Sequence, residues 1–419
     1  MPTYLKLQPV SATSNPRHSV TLALVLSLGA AISLGVTRFS YGLLLPPMRA
    51  DLGWSYTLAG AMNTINALGY LLGALSMPRL LKRHGAAQML VVGAVLASVF
   101  MMLTGFFTTA TPLLVQRLLA GVASAWVFVA GGLLAAQLGV REPSRSGLLL
   151  GVYYGGTGLG VVISALLVPS VAHVVSVNLP AAAHPWVWAW WALAVACAVG
   201  SLVLMTQMSV MKGLNAGHAP APMATTPTPV HHPFRWGSFT FALLGYGCFG
   251  IGYIGYMTFV IALLREQAAT TTMITVFYML LGLAVMASSR IWAKLLDRYQ
   301  GGQALALLNM LLGCAIVIPA LTSWQPALIV SGLLFGGVFL SIVASTTALV
   351  RHNLPASAWG AGISGFTIVF AAGQIVGPTM VGWIADGTGG LARGLLISAL
   401  ALWVGAILAW QQKPLPQPV

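Results

Sequence analysis

Leu34-Gly-Val-Thr-Arg38-Phe-Ser-Tyr41-Gly-Leu-Leu-Leu-Pro46-Pro47-Met48 closes an apolar run that begins near Val20. One arginine stands inside it. Carrying an arginine into the hydrocarbon centre costs at least about 2.5 kcal/mol. The polar boundary follows closely, at Pro46, Pro47, Arg49 and Asp51. Arg38 precedes Arg49 by eleven residues, or about 16 Å at 1.5 Å per helical residue. That is half of a hydrocarbon core about 30 Å thick. A helix that stops at Pro46 leaves Arg38 about 12 Å deep, still too far to snorkel out fully. The stretch reads as a membrane span with a buried cation. Such a charge by default faces a bundle interior or a wet cavity and marks a functional site.

The rest of the chain agrees with a membrane setting. Of 419 residues, 58% are hydrophobic and 6% charged, and mean hydropathy is +0.89. Soluble domains are about 25% charged, so this composition excludes an ordinary soluble protein. The net charge of +14 is no nucleic-acid footprint, because the basic residues sit in short loops between apolar runs without a basic-aromatic stripe. Cys197, Cys248 and Cys314 are dispersed through apolar segments, which argues against disulfides and metal sites. The first apolar run is too long for a cleavable signal and lacks an Ala-x-Ala site.

Runs of about 20 apolar residues, separated by polar or Pro/Gly breaks, predict twelve spans. They fall near 20–45, 55–78, 87–108, 112–136, 146–170, 186–208, 237–264, 271–292, 303–322, 326–349, 360–384 and 391–411. The expected organisation is a tail (1–18), a six-helix bundle (19–208), a linker (209–235), a second six-helix bundle (236–411) and a short tail (412–419). The linker is rich in Pro, Ala, Thr and His, which predicts flexibility. Lys and Arg set orientation. With the N-terminus inside, the outer loops carry Arg49, Arg265 and Arg393, the spans hold Arg38 and Arg117, and the other basic residues of the 19 lie inside. Both termini are expected to be cytoplasmic.

The halves repeat. Gly35-x5-Tyr41 matches Gly250-x5-Tyr256, and Arg117-Leu-Leu-Ala-Gly121 matches Gly332-Leu-Leu-Phe-Gly336, both at an offset of 215. Parallel six-helix repeats place a substrate site near the midplane, between the halves.

At this point the chain resembles the major facilitator superfamily over nearly its whole length. Arg117-x3-Gly121 is similar to the family's fourth-helix motif. Gly73 to Arg79, followed by Lys82-Arg83-His84-Gly85, stands where the family has a basic loop, but the usual aspartate is missing. Trp292 to Gly302, with Asp297 and Arg298, is a fuller copy. The resemblance implies a cytoplasmic gate at Arg79, Arg83, Asp297 and Arg298. Gly373-x3-Gly377-Pro378 resembles the glycine-proline motif of helix eleven, and Gly147, Gly151 and Gly155 form a degenerate counterpart. The stretch Thr37 to Met48 is similar to the first helix of the poorly characterised bacterial YbfB-like branch. That implies an all-α, twelve-helix carrier of the bacterial inner membrane, acting as a monomer.

No acid stands inside a span to pair Arg38, since Asp51, Glu142, Glu266, Asp297 and Asp386 all fall in loops or at helix ends. An unpaired buried cation needs an anion, a polar cage or water. Arg117 lies about 8 Å below the outer edge; it either snorkels or serves coupling. Asn63, Asn66 and Tyr70 share one face of helix two, for interhelical hydrogen bonds or for substrate. Tyr41, Tyr253, Tyr256 and Gln374 are further candidates. Tyr153 and Tyr154 read as packing.

The expected function is secondary transport of a small organic solute, an organic anion in the first reading, by rocking of the two halves. A nucleotide-binding Gly-x4-Gly-Lys-Ser/Thr loop is absent, which removes ATP, and no cofactor is expected. The alternatives are an exporter of neutral or amphipathic compounds with Arg38 structural, a membrane-embedded enzyme, for which no His/Asp/Glu cluster is visible, and a non-transporting receptor or scaffold.

Overall fold

The computed structural model describes residues 16–216, 235–355 and 358–415. Most of the expected N-terminal tail and of the linker lies outside the described residues. Twelve helices are long and apolar enough to cross a membrane. They are α1 (Ser19–Leu52), α2 (Tyr56–His84), α3 (Ala86–Thr104), α4 (Ala110–Arg141), α5 (Pro143–Asn178), α6 (Trp186–Thr206), α7 (Trp236–Glu266), α8 (Thr271–Arg298), α9 (Gln303–Leu321), α10 (Gln325–Asn353), α11 (Trp359–Ala385) and α12 (Gly390–Trp410). The described residues contain no strand, as expected where every backbone group must be satisfied within hydrocarbon.

The even number of crossings puts Ser19 and Trp410 on one face, here the terminal face. The loops 53–55 and 386–389 lie on the opposite, distal face. At the terminal face the linker begins as a short helix, Met208–Ala216. Arg141 donates to the carbonyls of Gly213 and Leu214 at 2.7 and 3.0 Å, tying that helix to the end of α4.

Helix α1 is not uniform. It is α-helical to Ala30, passes through a wider π-type turn at Ala31–Val36, breaks, and resumes as an α-helix at Tyr41–Leu52. Pro46 and Pro47 do not end it. The helix continues to Leu52 and closes at Gly53, whose φ of +64° is left-handed, a conformation that costs glycine nothing. Arg38 therefore sits near the middle of a 34-residue span.

The repeat seen in the sequence is a repeat of contacts. A Cβ on Gly121 of α4 would lie 2.2 Å from the Asn66 carbonyl oxygen of α2. A Cβ on Gly336 of α10 would lie 2.2 Å from the Leu281 carbonyl oxygen of α8. Asn66 and Leu281 are themselves 215 residues apart, so both halves cross the same pair of helices at the same glycine. Close backbone approach through small residues is how helices pack without a hydrophobic driving force between them.

The halves, α1–α6 and α7–α12, meet closely near mid-span, where a Cβ on Gly158 would stand 2.3 Å from the Gly282 carbonyl oxygen, and again toward the distal face. A Cβ on Gly42 would stand 2.5 Å from the Met257 carbonyl oxygen, and one on Gly60 2.2 Å from that of Pro378. Thr64 donates to the Ile375 carbonyl at 2.7 Å and is bonded to the Thr379 hydroxyl at 2.8 Å.

The glycine crossing yields a contrast. Gly121→Val must push backbone against backbone and is expected to lower thermal stability by about 1–3 kcal/mol. Gly147→Ala meets nothing within 4 Å and should leave the melting temperature unchanged or slightly raised. Thermal unfolding of the two purified variants checks this.

Candidate functional site

The break in α1 builds the site. The amides of Thr37 and Phe39 reach back five residues, to the carbonyls of Ile32 and Leu34, both at 3.0 Å. The wider turn leaves nearby carbonyls without their usual donors. π-type bulges recur at functional positions, and in hydrocarbon the freed groups must be re-satisfied. Arg117 of α4 donates from Nη1 to the Thr37 carbonyl at 3.0 Å. The Tyr278 hydroxyl of α8 donates to the Phe39 carbonyl at 2.7 Å. The residues on either side of Arg38 are thus held by side chains from opposite halves.

Arg38 itself is 2% exposed, and its Nε and Nη2 are buried without a hydrogen-bond partner. Its guanidinium carbon lies 5.8 Å from the centre of the Tyr70 ring. An unmade bond to a buried charged donor is expensive.

Arg117 is the opposite case. It donates to the Thr37 carbonyl, to the Asn63 side-chain oxygen at 2.8 Å and, at 3.5 Å, to the Met62 carbonyl. The Tyr41 ring lies beneath it at 4.9 Å. It does not snorkel: the side chain turns inward and is 3% exposed. Its planar fork spans acceptors on α1 and α2, which a point-charge lysine cannot do.

The other expected residues divide. Asn63 accepts from Arg117 and donates to the Thr258 hydroxyl at 2.8 Å, crossing between the halves. Asn66 donates to the Arg117 carbonyl at 3.0 Å, and Tyr41 to the Ala59 carbonyl at 2.9 Å. These three support the Arg117 clamp. Tyr70 faces Arg38. Tyr253 donates to the Gln374 side-chain oxygen at 2.8 Å, so this pair lines the second half's side. Tyr256 lies apart from them, hydrogen-bonded to Ser331 at 2.7 Å and stacked on Phe335 at 4.3 Å. Arg79, Arg83, Asp297 and Arg298 are exposed at the terminal face. Among the described residues none of the four is in an ion pair.

Sequence reasoning missed an aromatic wall. Tyr246, Phe249, Phe370, Tyr253 and Phe339 stack at 4.8–5.9 Å between ring centres, with interplanar angles of 10–21°. The end of the array, Phe339, meets Phe39 edge-on at 5.9 Å, next to Arg38 in the chain. The first half has an aromatic group of its own in Tyr70, Phe128 and Tyr154, the last 39% exposed against a buried Tyr153. The signal was present: Tyr246, Phe249 and Tyr253 recur at helical spacing on one stripe of α7.

Two repeated six-helix bundles around a buried polar centre define a membrane carrier. The profile of a family described as uncharacterised MFS-type transporter YbfB matches residues 30–410, and the chain belongs to that family, within the major facilitator superfamily. A chloramphenicol resistance protein of Streptomyces lividans is 26% identical over 392 residues, 91% of this chain and 95% of that protein. Among solved structures, the nucleoside transporter NupG superposes with a TM-score of 0.68 at 12% identity, covering 96% of this chain and 100% of its own. An inward-facing bacterial homolog of the human lysosomal transporter Spinster gives 0.66 at 14% identity, over 95% and 97%. FucP in its outward conformation gives 0.59 at 16%, over 94% and 99%. The chain is a transporter and not an enzyme.

If Arg117 is the clamp that holds the broken segment, Arg117→Lys should keep the charge but lose the fork. Its expected cost is about 3–5 kcal/mol, seen as a large fall in melting temperature. Asn66→Ala, which leaves the fork intact, should cost about 1–2 kcal/mol.

Proposed function

We propose that the protein is a secondary transporter of a small organic anion that carries an aromatic or other flat apolar portion, and that Arg38 is its anchor. The observation that carries this reading is the buried Arg38 guanidinium with two unpartnered nitrogens. A carboxylate or similar oxyanion completes it with charge-assisted hydrogen bonds. Tyr70, Tyr253 and Gln374 orient the solute, and the wall ending at Phe339 receives its apolar face, in the usual manner of a few polar groups among aromatic ones. The site lies at the midplane between the halves, where parallel repeats favour it.

Alternating access follows from rocking one half on the other, with the distal face closed in the state described. The Lys/Arg asymmetry supports a cytoplasmic terminal face in the bacterial inner membrane. Arg79, Arg83, Asp297 and Arg298 then gate that face when it closes, and Arg117 couples substrate to helix position by holding the Arg38 segment. The transporter works as a monomer.

One observation favours a second reading. The relative at 26% identity is a chloramphenicol resistance protein, and the aromatic wall also suits a neutral amphipathic drug. In that reading the protein is an exporter, and Arg38 donates to neutral acceptor oxygens or is structural.

Thermal shift of purified wild type and Arg38→Gln separates the two. Ligand at 100 times its dissociation constant adds about 2.7 kcal/mol of apparent stability. Benzoate and phenylacetate should raise the melting temperature of wild type, and Arg38→Gln should weaken their binding about 10- to 100-fold. Equal stabilisation of both proteins by chloramphenicol, with none by the carboxylates, would replace the anion reading with the exporter.

A further inference from the structure

The distal face is closed by more than apposed glycines. Asp386, just past the end of α11, accepts from the backbone amides of Tyr56 and Thr57 at 2.7 and 2.8 Å. It also accepts from the Thr57 hydroxyl at 2.6 Å. These are the first amides of α2, which no helix carbonyl can satisfy. Ser55 caps the next orphan within its own chain segment, accepting from the Leu58 amide at 3.1 Å. The remaining donors are capped from the other half of the protein.

Tyr56 gathers further partners. Its hydroxyl donates to Glu266, the last residue of α7. The Arg49 guanidinium, from the end of α1, sits 3.7 Å from its ring centre. Phe259 of α7 meets the ring edge-on at 6.0 Å. Beneath it, a Cβ on Gly382 would stand 2.2 Å from the Tyr56 carbonyl oxygen.

We infer that Tyr56 and Thr57 of the first half, with Glu266 and Asp386 of the second, form the distal gate of the transport cycle. Opening this face pulls the start of α2 away from Asp386. The α2 amides then lose their cap, and two carboxylates of the second half lose their first-half donors in a single motion. Closing restores them together, so the gate favours the state described here. The inference does not depend on the substrate class.

The groups facing Asp386 are Arg49, Tyr56 and Thr57, all from the first half, while Glu266 of the second half is bonded to the Tyr56 hydroxyl. Arg265 turns away to Thr271, and Arg393 to Thr388. Partial burial pushes the Asp386 carboxyl up, but the hydrogen bonds from Thr57 and Tyr56 and the field of Arg49 outweigh it, holding it below the usual carboxylate range. A pKa lowered in the closed state stabilises that state above the ordinary aspartate pKa. The stabilisation is lost as pH falls through the lowered value. Asp386 therefore stays charged and holds the gate shut at neutral pH, and acid releases it only below the ordinary aspartate range.

The test uses full-length protein in proteoliposomes, with Cys197, Cys248 and Cys314 changed to Ala and Thr64→Cys as reporter behind the gate. Labelling by a membrane-impermeant thiol reagent from the distal face is measured, normalised to a free thiol at each pH. Asp386→Asn should label about five- to thirtyfold faster than the parent. Tyr56→Phe should fall between them, and Lys413→Gln, exposed on the terminal face and outside both gates, should change nothing. The difference between parent and Asp386→Asn should persist across neutral and mildly acidic pH and shrink only as pH falls below the ordinary aspartate range. Should Asp386→Asn not fold, Thr57→Ala, which removes one donor from the same carboxylate, takes its place. Folded gate variants that label at the parent's rate overturn the inference.

Discussion

A backbone carbonyl released inside hydrocarbon has no water to turn to, and the centre of this protein is organised around that fact. The π-type turn in α1 shifts the backbone bonding around Arg38, and the protein supplies a side-chain donor from each half, Arg117 to the Thr37 carbonyl and Tyr278 to the Phe39 carbonyl, which also accepts from the Gly42 amide at 3.2 Å. Without Arg117 the Thr37 carbonyl would lose its side-chain donor, at a cost in hydrocarbon. Without the break, residues 37–40 would continue a regular helix and Arg38 would have no fixed aim. The second requirement follows from the first. Arg117 is itself a buried cation, and it is tolerable only because Thr37, Asn63 and the Tyr41 ring surround it. One arginine is fully used in order to hold another that is not.

The two halves share a fold and divide the labour. The first half brings the buried positive charge and the second brings the stacked rings. Gly121 and Gly336 show how closely the scaffolds agree, since both cross their partner helix at equivalent carbonyls. The side chains at the centre do not repeat: where α4 carries Arg117, α10 carries Gly332. Alternating access needs only the scaffold symmetry. Recognition of an asymmetric solute needs the difference.

How far the sequence could be read depended on what each feature rests on. The twelve spans, the halves and the buried position of Arg38 follow from length and hydropathy, which need no partner to be visible. The reading of Pro46 as a possible helix end failed because proline's cost falls on particular carbonyls, and here the helix runs on to Gly53. Arg117 looked able to snorkel because sequence gives depth but not direction. Tyr256 looked equivalent to Tyr253, yet three residues of helical rotation send one to Ser331 and the other to Gln374. Asp386 and Glu266 were correctly placed at helix ends, but nothing local shows that the start of α2 comes to meet them. Contacts between halves are properties of a rigid-body arrangement and are invisible in one-dimensional spacing.

Helix α2 connects these features. Tyr56 at its start is in the distal gate. Thr64, eight residues on, bonds α11. Asn63 and Asn66 hold Arg117, which holds the Arg38 segment. Tyr70, about 21 Å along the helix from Tyr56, faces Arg38 itself. A stiff helix with the gate at one end and the site along its length cannot respond at one place alone. On the reading proposed above, a solute that draws Arg38 and Tyr70 into new contacts tilts α2, and the tilt is felt at Tyr56 and Thr57, where the hydrogen bonds to Asp386 tolerate little displacement. Coupling of this kind requires an element with two discrete arrangements that both sites bias. The start of α2, capped from the opposite half or left uncapped, is such an element.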